Sequence, residues 1–272
     1  MNSQSLFKFL AVILTSCACC VQSLLSAPVT LGNFAANGSD TTDTITLNSN
    51  LGGTRTYGTY SGAVYDGGIN TAISSTTLAS VGDEFTYSFT LATPTVNGDV
   101  SNTFRSGFAL YDGASAYAHL HFITAVGTST DARFAANTNN NRYSGGTQVG
   151  ATTNTFFNNS SLRFDDGNTV NVTFTLKLTA DNITSYDFLY TVNWSNGSFS
   201  NSVAQAFTGI ATNKIVGMYH LTNQVLITSG TSWTVSNAAA NFSAIPEPSS
   251  YAALAGLGIL GFAAMRRRRE RF

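Results

Sequence analysis

Between residues 85 and 91 the chain reads Phe-Thr-Tyr-Ser-Phe-Thr-Leu, with an apolar side chain at every odd position and a hydroxyl between each pair. Successive side chains of an extended strand point to opposite faces, so this two-residue period predicts a half-buried strand. Val170, Val172, Phe174, Leu176 and Leu178 repeat the pattern against Asn171, Thr173, Thr175, Lys177 and Thr179. After a turn near Asp181-Asn182, it returns in Tyr186, Phe188, Tyr190, Val192 and Trp194, and the two segments together predict a hairpin. Further strands are expected at Thr44–Leu47, Gly107–Tyr111, Tyr117–Ile123, Ile215–Leu221 and Ser232–Phe242. Connections are expected at Asp66-Gly67-Gly68, Asp112-Gly113, Asn139-Asn140-Asn141 and Asp165-Asp166-Gly167. No useful helical period occurs between Pro28 and Ala244. Many short strands with one covered face predict an all-β fold, an antiparallel two-sheet β-sandwich of jelly-roll type.

The two ends break the alternation. Residues 1–27 carry one cation, Lys8, then the apolar run Phe9–Leu14, then small residues, which is the order of a secretory signal helix. Leu14-Thr15-Ser16-Cys17 also fits a relaxed lipobox, which would lipidate Cys17. Residues 246–272 open with Pro246-Glu247-Pro248, continue as an apolar stretch from Tyr251 to Met265, and close on Arg266, Arg267, Arg268 and Arg269. As a helix, the apolar stretch would span about 22 Å at 1.5 Å per residue, against about 30 Å of hydrocarbon. Snorkelling arginines could make up the difference and would stay cytoplasmic, which places residues 28–245 outside that membrane. Gly256-Leu257-Gly258-Ile259-Leu260-Gly261 satisfies G-x-G-x-x-G, but the βαβ context that gives this pattern meaning is absent.

Composition narrows the chemistry of the middle domain. All three cysteines lie in the leader, so the domain has no thiol for a disulfide, a nucleophile or a Cys-ligated metal. Between the ends, seven cations (Arg55, Arg105, Arg133, Arg142, Arg163, Lys177, Lys214) face twelve carboxylates, a balance that repels a nucleic-acid backbone. A glycosidase needs two carboxylates across the scissile bond, yet Glu84 is the domain's single glutamate and Asp165-Asp166 reads as a turn. There is no Gly-x-Ser-x-Gly elbow. The domain is therefore expected to be non-catalytic. His119 and His121 share one face of their strand, opposite Ala118, Leu120 and Phe122, as a solvent-facing or partly packed pair. A metal site would need a third ligand, for which His220 is the candidate. Calcium is the one cofactor left open, through Asp112, Asp165, Asp166 or Asp181, each of which also reads as a turn former. The stripe Tyr186, Phe188, Tyr190, Trp194 is expected in the core rather than as an exposed platform for sugar rings.

Pro246-Glu247-Pro248, the Gly/Ala-rich apolar stretch and the terminal arginine cluster resemble the PEP-CTERM sorting signal. That resemblance implies recognition by an exosortase, membrane anchoring before processing, and a final place at the cell surface or in an exopolysaccharide matrix. The order of strands in the middle resembles concanavalin A-like jelly rolls of the laminin G type, which implies a sandwich and points to carbohydrate. Their laminarinase-like members carry a Glu-x-Asp-x-Glu strand that this chain lacks. The readings are a non-catalytic, polysaccharide-associated surface protein, a polysaccharide-processing enzyme of that fold, and an adhesin that assembles by strand pairing.

Overall fold

The computed structural model describes residues 26–37, 43–58, 65–93, 104–113, 117–123, 131–137, 156–158, 167–198, 200–224 and 230–245, together with 256, 258, 259 and 261. Fifteen strands follow one another: β1 (Ser26–Val29), β2 (Leu31–Asn37), β3 (Thr44–Leu47), β4 (Gly53–Thr56), β5 (Tyr65–Thr77), β6 (Glu84–Ala92), β7 (Phe104–Tyr111), β8 (Tyr117–Ile123), β9 (Asp131–Asn137), β10 (Phe156–Asn158), β11 (Thr169–Asp181), β12 (Tyr186–Ser195), β13 (Ser200–Ile210), β14 (Lys214–Gln224) and β15 (Ser232–Ser243). They form two sheets. The first runs β13-β12-β11-β6-β15-β4-β3, with β1 also paired to β15; the second runs β10-β9-β8-β7-β14-β5-β2. One compact unit spans Ala27–Phe242.

The alternation becomes the core. In the β11–β12 hairpin, Val172 lies opposite Trp194, Phe174 opposite Val192 and Leu176 opposite Tyr190, while β6 pairs along the other side of β11. Phe85, Leu176, Phe188, Tyr190 and Val192 are fully buried, and Trp194 nearly so. Rings from the two sheets interlock: Phe108 of the second sheet lies 6.0 Å from Phe85 and 5.0 Å from Tyr190, and Phe122 lies 6.1 Å from Trp194. Edge-to-face pairs of this kind add about 0.5–1.5 kcal/mol each beyond the area they bury. The aromatic stripe of β12 is therefore core, and the two packed sheets are the expected sandwich.

A buried ion pair joins the sheets at one end. Arg55 of β4 donates through Nε to Asp43 Oδ2 at 2.9 Å, and through Nη1 to the Thr222 carbonyl and hydroxyl of β14 at 3.0 and 2.8 Å. Asp43 Oδ1 accepts the Gly58 N–H, and the Tyr57 hydroxyl and Trp233 indole donate to Thr222 Oγ1. Both charged side chains are fully buried, so their lost hydration is offset only because nearly every polar atom of the pair is used.

One expected connection is instead a strand. Asp66-Gly67-Gly68 lies within β5, where Gly68 faces Leu221 of β14. A Cβ on Gly68 would sit 1.9 Å from the His220 carbonyl oxygen. The glycine serves close strand approach, not a turn. Asp112-Gly113 does follow β7 as a connection, and Gly256, Gly258, Ile259 and Gly261 are helical. Residues 1–25 of the leader, Asn139-Asn140-Asn141, Asp165-Asp166, Pro246-Glu247-Pro248 and Arg266–Arg269 lie outside the described residues, whereas Ser26 and Ala27 begin β1.

Candidate functional site

The second sheet has two faces, and its titratable groups divide between them by strand parity. On the face turned away from the core, β8 supplies His119 and His121, β7 supplies Arg105, Gly107 and Ala109, and β14 supplies Tyr219. His121 lies opposite Gly107, and Gly107 lies opposite Tyr219, so the imidazole and the phenol are two strands apart. Strands so separated are about 9.6 Å from each other, too far for direct contact unless the intervening residue leaves room. Gly107 has no side chain, and a Cβ there would sit 1.9 Å from the Leu120 carbonyl oxygen. Across the gap the Tyr219 hydroxyl meets His121 Nδ1 at 2.6 Å.

His119 completes a triangle of rings. Its centroid lies 5.9 Å from that of His121 and 5.4 Å from that of Tyr219, and Tyr219 and His121 are also 5.4 Å apart. His119 and Tyr219 are fully buried and His121 is 2% exposed. This corrects the expectation of a solvent-facing or partly packed pair: the three rings are out of water, although Ala72 and Ser74 of β5 in the same sheet are exposed. Burial, then the neighbouring His119, then the Arg105 charge hold His121 well below its ordinary range, so it is neutral. The Tyr219 hydroxyl and His121 Nδ1 share one hydrogen bond whose direction follows the tautomer of the neutral ring. The guanidinium of Arg105 supplies the positive charge that acts on this otherwise neutral, buried cluster.

His220 does not join this pair as a third ligand. One residue beyond Tyr219 on β14, it points to the opposite face. There its Nδ1 meets Ser106 Oγ at 2.7 Å and its Nε2 meets Tyr87 Oη at 2.9 Å, among the rings of Phe34, Phe89 and Phe104. Burial lowers its pKa to about 3. Ser106 and His220 are spaced as a nucleophile and base would be, but the third member is a phenol and the whole group is closed in the core, so it packs and orients the two sheets. Among the described residues no cluster of three His, Cys, Asp or Glu could hold a metal ion.

Several carboxylates are engaged in structure. Asp83 accepts the Ala79 and Ser80 N–H groups, Asp43 holds Arg55, Asp187 accepts the Gly209 N–H, and Glu84 pairs with Lys177 at 2.9 Å. Of the aspartates weighed for calcium, Asp112 follows β7 and Asp181 ends β11, both exposed. Arg105 and Tyr219 were not singled out from the sequence. Their shared parity with His121 around a strand glycine was the available sign, and it becomes readable only once strand order is known.

The PEP-CTERM protein-sorting motif matches residues 244–269. It marks an exported chain, membrane-anchored before processing by an exosortase. Among curated proteins no sequence match to the chain is found. Solved structures similar to it include alginate lyase Aly36B (14% identity, 79% of this chain and 96% of that one, TM-score 0.44). They also include lectin UEA-II complexed with galactose (12%, 80% and 98%, TM-score 0.46) and arcelin-5, a lectin-like defense protein from Phaseolus vulgaris (10%, 81% and 100%, TM-score 0.45).

Proposed function

We propose that this exported chain is a non-catalytic cell-surface or extracellular-matrix protein whose β-sandwich binds polysaccharide and associates with exopolysaccharide after its tail is processed. The observation that carries the reading is the sorting motif directly after a sandwich whose carboxylates Asp43, Asp83, Glu84 and Asp187 are tied into ion pairs and turns. Engaged in this way, those side chains are poor candidates for the acid and base of glycoside hydrolysis. The exposed Asp112, after β7, and Asp181, at the end of β11, are the described carboxylates proposed for calcium.

A second reading rests on the His121–Tyr219 contact. A phenol held by a neutral imidazole beside Arg105 is a pair of groups that general acid–base catalysis can draw on, next to a cation. The burial of both rings weighs against it. The two readings separate in one assay: the exported chain is titrated against a polysaccharide panel that includes the producer's exopolysaccharide, with and without calcium. Saturable binding with no new chain ends supports the first. New reducing or unsaturated ends that disappear in Tyr219→Phe support the second and overturn the first.

A further inference from the structure

Among the described residues four strands stand at the ends of the two sheet orders, with the four-residue β1 beside them on β15, and three of the four are poor templates for further pairing. β3 is four residues long, β10 is three, and β2 is interrupted by a register shift between Leu31 and Phe34. β13 differs. It runs eleven residues and pairs with β12 in unbroken register from Ser200 opposite Ser195 to Phe207 opposite Phe188, with an irregularity only beyond that point, where Gly209 has φ 73°. No charged residue or proline occurs from Asn196 to Asn213. Native edge strands are normally blunted by shortness, charge, proline or a bulge, and over Ser200–Phe207 this edge has none of these.

From this we infer that two copies of the chain join by antiparallel pairing of β13 across a two-fold axis, which continues the first sheet from one protomer into the next. Such an interface sets a strand against its own copy, so residue i faces j and j faces i. Any charge would then meet its like at short range, and the uncharged stretch removes that repulsion. The inner-facing Val203 is only half-buried at the edge, although the β12 residue opposite it, Val192, is in the core. A second β13 would extend cover over Val203, which already packs against that core. On the outer face Ser200, Ser202, Ala204 and Ala206 are small, uncharged and exposed, so they add no steric barrier. The inference does not depend on the polysaccharide reading.

The test uses the full chain in detergent with Cys17, Cys19 and Cys20 replaced by serine, so that an introduced thiol is the single one. Cysteines are placed in turn at Ser200, Ser202, Ala204 and Ala206, with Asn193 of β12 as a control away from the edge. A disulfide needs Cα atoms about 4.4–6.8 Å apart, a condition met only near the dyad. Crosslinking concentrated at one position, or at two neighbouring ones, and absent at Asn193 is the expected result. Ala204→Lys should weaken the dimer at least tenfold by sedimentation, with an unchanged far-ultraviolet spectrum. A chain that is monomeric at tens of micromolar, equal crosslinking at all five positions, or a dimer insensitive to Ala204→Lys would overturn the inference. The last outcome would assign association to the apolar tail.

Discussion

Three buried polar groups set the behaviour of individual residues. Asp43 and Arg55 oppose each other's charge out of water, so Asp43→Ala takes the carboxylate from a buried guanidinium and should cost about 3–5 kcal/mol in denaturant unfolding. The Glu84–Lys177 pair is the contrast: its side chains are 38% and 40% exposed, and Lys177→Ala should change stability by about 0.5 kcal/mol or less. His220 and His121 both titrate below the ordinary histidine range because burial opposes their charge. Between pH 6.5 and about 3 the unfolded chain therefore takes up protons that the folded one refuses. This contribution to stability is complete above pH 6.5 and is lost as pH falls through that window. His220→Gln should flatten the slope of unfolding free energy against pH there, and an unchanged slope would show that His220 is not neutral in the fold.

At the scale of elements, close strand approach explains both what the sequence revealed and what it concealed. Period two revealed β6, β11 and β12 because each carries a continuous apolar face in a half-polar strand. β5 stayed hidden because Asp66-Gly67-Gly68 has turn composition, while the reason for Gly68 is the His220 carbonyl on a strand 145 or more residues later. β13 was hidden by its run of serine and alanine, which carries little hydrophobic contrast. His119 and His121 were correctly placed on one face, but their burial and their partner Tyr219 depend on the order β8-β7-β14, which no local pattern encodes. Gly107 is the hinge of that arrangement. Gly107→Ala should destabilise by about 3 kcal/mol, near the upper end for overpacking, and should abolish the Tyr219–His121 contact, seen as a changed histidine ring resonance on NMR. Tyr219→Phe should cost about 1–3 kcal/mol, the penalty for removing the hydroxyl that bonds a buried imidazole nitrogen.

For the molecule as a whole, a tail that carries a sorting address follows a two-sheet β-sandwich in the chain. The tail was the most legible part of the sequence, because proline, an apolar stretch and clustered arginines are each readable without knowing the fold. The sandwich was legible as an architecture but not as a site, since its polar clusters assemble from strands distant in the chain. Removing residues 246–272 should release the domain unprocessed into the medium and leave its melting temperature unchanged, because Ala27–Phe242 forms its own compact unit. The most direct test of the central claim is the mass and location of the mature chain in its producing cells. The account predicts a chain without Arg266–Arg269, outside the inner membrane, that co-purifies with exopolysaccharide and is freed when that polymer is degraded. An intact tail retained in the inner membrane, with no polysaccharide attached, would contradict it.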